Sequence, residues 1–270
     1  MSKMTRAFLQ WSSGIPLITD STTVWVSTSG SDATGDGTVV LPVASVTKAM
    51  TLVSLTRNKV IVLPGNYVEA AAVVWPLFTG VQMVGLGTVN ISASTGTTVL
   101  SVVPGVVAAT FEMTLENLYI DHGESGQDGI TLDNTAMTKK LNCYIKNVAS
   151  DNDDGDTLAT VHGDTSNAIR VYWDGDKGEG ISGAINFTGG NNGDRVYISR
   201  ANLNGGFVSS VTAVVAAFRL VRCRVTHEGI TAGHASQTML LVHCYSETSG
   251  TWAACDAADV AGDQTETIVS

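Results

Sequence analysis

Six short segments of the chain share one alternating pattern, in which a polar residue is followed by an apolar or small residue, a polar residue and an apolar one. The intervals between successive segments run from 21 to 30 residues. Short β-rich units that recur at such intervals are typical of a solenoid, in which each turn contributes strands to the same sheets. The segments are Asn117–Ile120, Asn142–Ile145, Arg170–Trp173, Arg222–Val225, His243–Ser246 and, as a weaker match, Arg200–Leu203.

The second and third positions of this pattern predict two opposite faces, because alternate residues of a strand point to opposite sides. Cys143, Cys223 and Cys244 occupy the second position, so we expect these thiols to face inward as small hydrophobic side chains. Four of the six tyrosines occupy the third position and are expected to face outward. These are Tyr119, Tyr144, Tyr172 and Tyr245.

The pattern divides the chain into three parts. Residues 1–21 read as an N-terminal arm, 22–250 as the solenoid, and 251–270 as a C-terminal cap or tail. Residues 22–28 are rich in β-branched side chains and predict a strand, whereas 44–55 have the apolar spacing of a helix with Ser45 as its N-cap. Almost no other helix is expected.

Composition narrows the partners that this chain is expected to have. It carries 15 basic and 25 acidic residues, a net charge of −10, which disfavours nucleic acid as a partner. No apolar run reaches the roughly 20 residues of a membrane helix, and no signal peptide is recognised, so we expect assembly in the cytoplasm. None of the four cysteines forms a C-x-x-C pair, and neither a metal site nor a cofactor is predicted.

The N-terminal half resembles the opening of the pectin-lyase-like right-handed parallel β-helix family. The matching residues are Val24–Asp32, Gly35–Thr38, Pro42, Ser45–Ala49 and Ile61–Glu69. The resemblance covers roughly residues 22–95, and the repeats extend it to about 250. It implies an all-β, single-stranded right-handed parallel β-helix with a short N-terminal capping helix. It says little about activity, because one fold hosts many functions.

Enzymes of this family act on polysaccharides, and the chain departs from most of their motifs. It has no Gly-His-Gly, and its acidic pair, Asp153 and Asp154, falls in a loop. Lys139, Lys140 and Lys146 precede that loop and keep a lyase open as an alternative. We assign no catalytic residue. The acidic loop 151–156 reads either as a solvated turn or as a calcium-binding loop.

The outward positions favour a binding role instead, since Tyr and Arg are enriched at protein interfaces and Lys and Glu are depleted. The alternatives are a glycan-binding stripe and an ordinary exposed sheet. As an interface, this face predicts that Arg222→Glu dissociates an oligomer. The candidate binding residues are Tyr119, Tyr144, Tyr172, Arg170, Arg200, Arg222, Arg224, His243 and Tyr245.

Taken with the resemblance, these features predict a structural virion protein of a tailed phage. We expect a homotrimeric capsid decoration protein or a tail spike or fibre protein, with other capsid or tail proteins as partners and host surface glycan as a further candidate. The alternatives are a polysaccharide lyase or hydrolase of the same fold, and a glycan-binding adhesin module.

Overall fold

A computed structural model gives the fold of the chain. It describes residues 21–95, 98–105, 109–121, 128–151, 157–163, 167–176, 180, 184–189, 193–203, 207–209, 217–225, 230–232, 238–242 and 244–246. Within these ranges the chain forms 21 strands and one helix. Every pairing between the strands is parallel, which is the arrangement of a β-solenoid.

The bounds of the elements are as follows. The helix is α1 (Val46–Leu52), and the strands are β1 (Thr23–Val26), β2 (Lys59–Val62), β3 (Gly65–Glu69), β4 (Val73–Val74), β5 (Val81–Gly85), β6 (Val89–Ala93), β7 (Thr98–Val102), β8 (Phe111–Asp121), β9 (Asp128–Asp133), β10 (Leu141–Asp151), β11 (Thr157–Gly163), β12 (Ile169–Asp174), β13 (Ala184–Gly189), β14 (Arg195–Ser199), β15 (Asn202–Leu203), β16 (Phe207–Ser209), β17 (Ala217–Val221), β18 (Arg224–Val225), β19 (Ile230–Ala232), β20 (Thr238–Val242) and β21 (Tyr245–Ser246).

Three stacks of strands build the solenoid. The long sheet has the order β1-β2-β5-β8-β10-β12-β14-β17-β20, and a second sheet has the order β4-β7-β9-β11-β13-β16-β19. The third stack joins β3 and β6 to the second halves of β8 and β10, and it includes the ladder β15-β18-β21. The predicted all-β parallel β-helix with one short helix is therefore confirmed.

The corner between the long sheet and the third stack repeats the same backbone conformation on successive turns. Asn117 and Asn147 have φ values of 57° and 50° there, and the Asn147 Nδ2 donates to the Asn117 Oδ1 at 3.2 Å. Gly175, Arg200 and Arg222 occupy the corner on the next three turns with φ between 53° and 78°. Asn and Gly tolerate this left-handed region better than other residues, so Asn117, Asn147 and Gly175 favour the bend.

Helix α1 covers the N-terminal end of the core. Ser45 is its N-cap as predicted, because the Ser45 hydroxyl accepts from the Lys48 backbone N–H at 3.0 Å. The buried Glu69 carboxylate of β3 accepts from the Val46 N–H at 2.8 Å and from the Thr47 N–H at 3.1 Å. These bonds satisfy N–H groups that a helix leaves unpaired, and they tie the helix to the first turn of the solenoid.

Among the residues that the structure describes, a second buried cluster covers the outer face of the long sheet at its N-terminal end. Trp25, Ile61 and Val84 lie on that face and form a small buried cluster separate from the main core. Partly buried Val39 and Leu63 pack against this cluster. From β8 onward the same face carries polar and aromatic side chains, which are described next.

Candidate functional site: a tyrosine–arginine strip

Three tyrosines stack on one another along the outer face of the long sheet. Tyr144, Tyr172 and Tyr197 occupy the same register position on β10, β12 and β14. Both neighbouring pairs have ring centroids 5.3 Å apart, with interplanar angles of 10° and 9°. Strands in a sheet lie about 4.8 Å apart, so identical residues in register meet at stacking distance.

Arginines flank the tyrosines on the same face. Arg170 and Arg195 are register neighbours two residues before Tyr172 and Tyr197, and Arg219 follows Tyr197 in the tyrosine column. The next positions in the arginine column are Asn142 and Glu112, and the Asn142 Nδ2 donates to the Glu112 carboxylate at 3.3 Å. We call the following set the tyrosine–arginine strip: Tyr144, Tyr172, Tyr197, Arg170, Arg195 and Arg219.

Polar groups in and beside the strip cost stability in the isolated chain. Arg170 and Arg195 place like charges side by side, which is unfavourable in a sheet. Among the described residues, the buried Arg170 Nε and Asn142 Oδ1 find no hydrogen-bond partner, and such a group costs about 1–3 kcal/mol. Tyr144 leaves 40% of its surface exposed. Burial raises the pKa of the Tyr144 phenol, and the Glu112 charge adds to this, so the hydroxyl stays a hydrogen-bond donor.

A third outward column of the long sheet contains Glu116, Lys146 and Asp174. Each of these charged side chains forms an ion pair. Lys146 contacts Glu116 at 2.9 Å. The Asp174 carboxylate accepts from the Arg200 Nε at 2.8 Å, from the Arg200 Nη2 and from the Ser199 hydroxyl at 2.7 Å. The hydrogen bonds from Arg200 are the main reason that the pKa of Asp174 lies below its ordinary value, although burial opposes them.

The carboxylates of Glu116 and Asp174 can be compared with the two carboxyl groups of a glycoside hydrolase. Glu116 and Asp174 lie on either side of Lys146, two strand spacings or about 10 Å apart. A hydrolase needs one of its two carboxyls protonated as the general acid. Asp174 is held ionised by Arg200, so Asp174 does not suit the part of the general acid.

The structure distributes the predicted binding residues over two surfaces. Tyr144, Tyr172 and Arg170 lie in the strip. Tyr119, Arg224 and Tyr245 lie on strands of the third stack, beyond the corner. Arg200 and Arg222 form the corner itself, and both are exposed. His243 lies outside the described residues.

The predicted single column of repeats is therefore wrong. Tyr144 is in register with Thr114, whereas Tyr119 is in register with Ala149, five residues after Tyr144. The segments at 142 and 170 belong to the long sheet, and those at 117, 200 and 222 run from the corner into the third stack. The alternating pattern continues on both sides of the corner, so it did not distinguish one sheet from the other.

The prediction that three cysteines share one column is wrong for the same reason. Cys143 lies in the long sheet, and Cys223 and Cys244 lie beyond the corner. The inward orientation is confirmed for Cys143 and Cys223, which are 0% and 2% exposed. Cys244 is partly buried and packs against the main core.

Three residues of the strip were not identified from the sequence, and these are Tyr197, Arg195 and Arg219. The segment Arg195-Val196-Tyr197-Ile198 repeats the pattern of Arg170-Val171-Tyr172-Trp173 25 residues later. The pairing of β12 with β14 places the two segments in register, residue for residue. The Arg-Val-Tyr repeat was the signal for this part of the strip, whereas nothing comparable marks Arg219.

Other sequence candidates remain outside this surface. Of the acidic loop 151–156, the structure describes only the backbone of Asp151 at the end of β10, so Asp153 and Asp154 lie outside the described residues. Among the residues that the structure describes, no three His, Cys, Asp or Glu side chains are grouped to hold a metal ion. In the same residues, no helix is both long and apolar enough to cross a membrane.

Comparison with protein-family models, curated proteins and solved structures found no match to this chain. The tyrosine–arginine strip is therefore the feature of the chain that bears on its function.

Proposed function

We propose that this chain is a structural β-helical protein that assembles through its tyrosine–arginine strip. The observation that carries the proposal is the stack of three nearly parallel tyrosine rings flanked by arginines on the outer face of the long sheet. Tyr and Arg dominate the energetics of protein interfaces, because they bury a large area and make directed hydrogen bonds. Covering the strip also removes the exposed aromatic surface of Tyr144.

Charge indicates what covers the strip. Arg170 and Arg195 repel each other and gain from a partner that supplies carboxylates. The chain has a net charge of −10, so a second copy is a source of carboxylates for this contact. The contact then joins unlike surfaces of two copies, and such contacts form a ring when the rotation between copies closes. A homotrimer is the ring that the resemblance to phage β-helices favours.

The setting proposed for this assembly is the particle of a tailed phage, as a capsid decoration protein or a spike or fibre protein. The support is the resemblance of residues 22–95 to the opening of the pectin-lyase-like β-helix family, whose fold also serves phage tailspikes, together with a surface suited to subunit contacts. Electron microscopy of particles with antibody raised against this chain tests that setting. Labelled capsids or tails are expected, and unlabelled particles contradict it.

Light scattering with charge-reversal variants tests the assembly. We expect Arg170→Glu and Arg195→Glu to reduce the wild-type oligomer to monomer at micromolar concentration. Lys139→Glu makes the same charge change on an exposed turn before β10 and leaves the oligomer intact. Rising salt is expected to weaken the wild-type contact, because salt screens charge pairs. A wild-type monomer, or an Arg170→Glu oligomer of unchanged mass, contradicts the proposal.

A glycan is the second candidate occupant, since the exposed Tyr144 has one ring face that is not stacked on Tyr172 and on which a sugar ring can stack. On a glycan array, this alternative expects binding by the wild type that is lost in Tyr144→Ala and Tyr172→Ala, while the oligomeric state is unchanged. Loss of oligomer without any glycan signal favours assembly instead.

A further inference from the structure

Two thiols meet near the C-terminal end of the described solenoid. Cys223 directly precedes β18 and Cys244 directly precedes β21, and the pairing of Arg224 with Tyr245 makes the cysteines neighbours on adjacent turns. The Cys244 Sγ lies 3.3 Å from the Leu220 carbonyl oxygen. Cys223 Sγ also lies 3.5 Å from the Ile198 carbonyl oxygen.

The spacing of these two residues suits a covalent bond. Adjacent strands lie about 4.8 Å apart, and the Cα atoms of disulfides are usually about 4.4–6.8 Å apart. The sulfur atoms can therefore meet with a small movement of the side chains and no change of strand pairing. Both residues flank strands of only two residues, so the adjoining backbone has few ladder bonds that resist the adjustment.

We propose that Cys223 and Cys244 form a cross-linking site that a low-molecular-weight disulfide, such as oxidised glutathione, converts to an intrachain disulfide. This inference does not depend on the proposed function. It concerns the stability of the last described turns, where β18 and β21 are held by short ladders.

The two cysteines have different parts in the reaction. Cys244 is partly buried whereas Cys223 is 2% exposed, so the Cys244 thiolate meets the oxidant first. It attacks one sulfur of oxidised glutathione and releases one reduced glutathione, which leaves a mixed disulfide on Cys244. Cys223 then loses its proton to solvent and attacks the Cys244 sulfur, releasing the second glutathione. Two protein thiols are oxidised and one glutathione disulfide is reduced to two thiols.

The burial and register of the two thiols set this order. Cys223 is 2% exposed, so a glutathione molecule does not reach it directly, whereas the Cys244 sulfur lies at the neighbouring register position. The folded protein therefore favours the intrachain bond over a second glutathione adduct.

Cys143 provides an internal comparison. It is fully buried in β10, and its register neighbours in the long sheet are Met113 and Val171. Burial alone raises the pKa of its thiol. It has neither exposure to the oxidant nor a thiol at a neighbouring register position, so we expect it to stay reduced under the same treatment.

Mass spectrometry of the full chain treated with oxidised glutathione tests the site. Trypsin cuts after Arg222 and Arg224, which leaves Cys223 in a dipeptide and places Cys244 in peptide 225–270 with Cys255. We expect the dipeptide to be linked to this peptide and the chain to lose about 2 Da, the mass of the two hydrogens removed. The link is expected to persist in Cys255→Ser and to disappear in Cys244→Ser.

Three outcomes of this experiment would overturn the proposal. They are a link that disappears in Cys255→Ser, a stable glutathione adduct on Cys244, and no reaction of the folded chain. Because Cys244→Ser places a hydroxyl against the core, Cys244→Val and the circular dichroism of each variant separate loss of the link from loss of the fold. Oxidised Cys255→Ser is also expected to melt several degrees above its reduced form, and dithiothreitol is expected to reverse the rise.

Discussion

The stacking within the strip can be measured as a coupling energy between Tyr144 and Tyr172. Their rings are 5.3 Å apart and nearly parallel, and such a pair contributes about 0.5–1.5 kcal/mol beyond the area that it buries. In a double-mutant cycle of Tyr144→Ala and Tyr172→Ala, we therefore expect a coupling of about that size in the free energy of unfolding.

Tyr144 and Tyr197 form the matched control pair. They carry the same side chain on the same face but are separated by the Tyr172 ring, so their centroids lie about 10 Å apart. Both rings contact Tyr172, so any coupling between them is indirect, and we expect it to be smaller than that of the pair in direct contact. Tyr172 touches a ring on each side, so Tyr172→Ala is expected to lose about twice the stacking energy that Tyr144→Ala loses.

Urea unfolding followed by circular dichroism gives these free energies. The titrations are run at two protein concentrations, because a contribution from subunit contacts shifts the midpoint with concentration and a contact within the chain does not. Tyr172→Phe keeps the ring and is expected to keep the coupling. A Tyr144–Tyr172 coupling no larger than that of the control pair would refute the intrachain stack.

Two further predictions concern the corner and the third outward column. Gly175→Ala is expected to destabilise the chain more than Gly105→Ala, because both glycines have positive φ but only the new Cβ at 175 meets the Asn147 Oδ1, at 2.6 Å; urea midpoints of the two variants check this, and equal losses would contradict it. The hydrogen bonds from Arg200 lower the pKa of Asp174 below 3.8, so this pair stabilises the fold above pH 3.8 and its contribution is lost as the pH falls through the lowered pKa. Arg200→Gln is expected to lower the thermal midpoint at pH 6 and leave it nearly unchanged below the lowered pKa, whereas an equal loss at both pH values would rule out this ion pair as the cause.

The class of fold could be predicted because the sequence pattern that indicates it recurs along the chain. Segments such as Asn142–Ile145 and Arg170–Trp173 alternate with period two and recur once per turn, and they do lie in register on β10 and β12. Ser45 was also predicted correctly, because an N-cap hydroxyl before an apolar helical spacing is a local signal. Features that depend on one strand or one helix were thus accessible from the sequence.

The placement of turns on particular sheets was not accessible in this way. β8 runs for 11 residues through the corner at Asn117 and serves two sheets, and apolar alternation gives no sign of the change. The informative sign is an Asn in the left-handed conformation, which the sequence shows only as one more polar residue. Tyr119 was for this reason grouped with Tyr144, although the corner separates them.

The cover over Trp25, Ile61 and Val84 gives the long sheet a direction. Within the described residues, the outer face is covered at its N-terminal end by this cluster, and the strip lies from β10 to β17. In the proposed assembly, a neighbouring subunit is therefore expected to lie beside β10 to β17, and the cover marks one end of the contact.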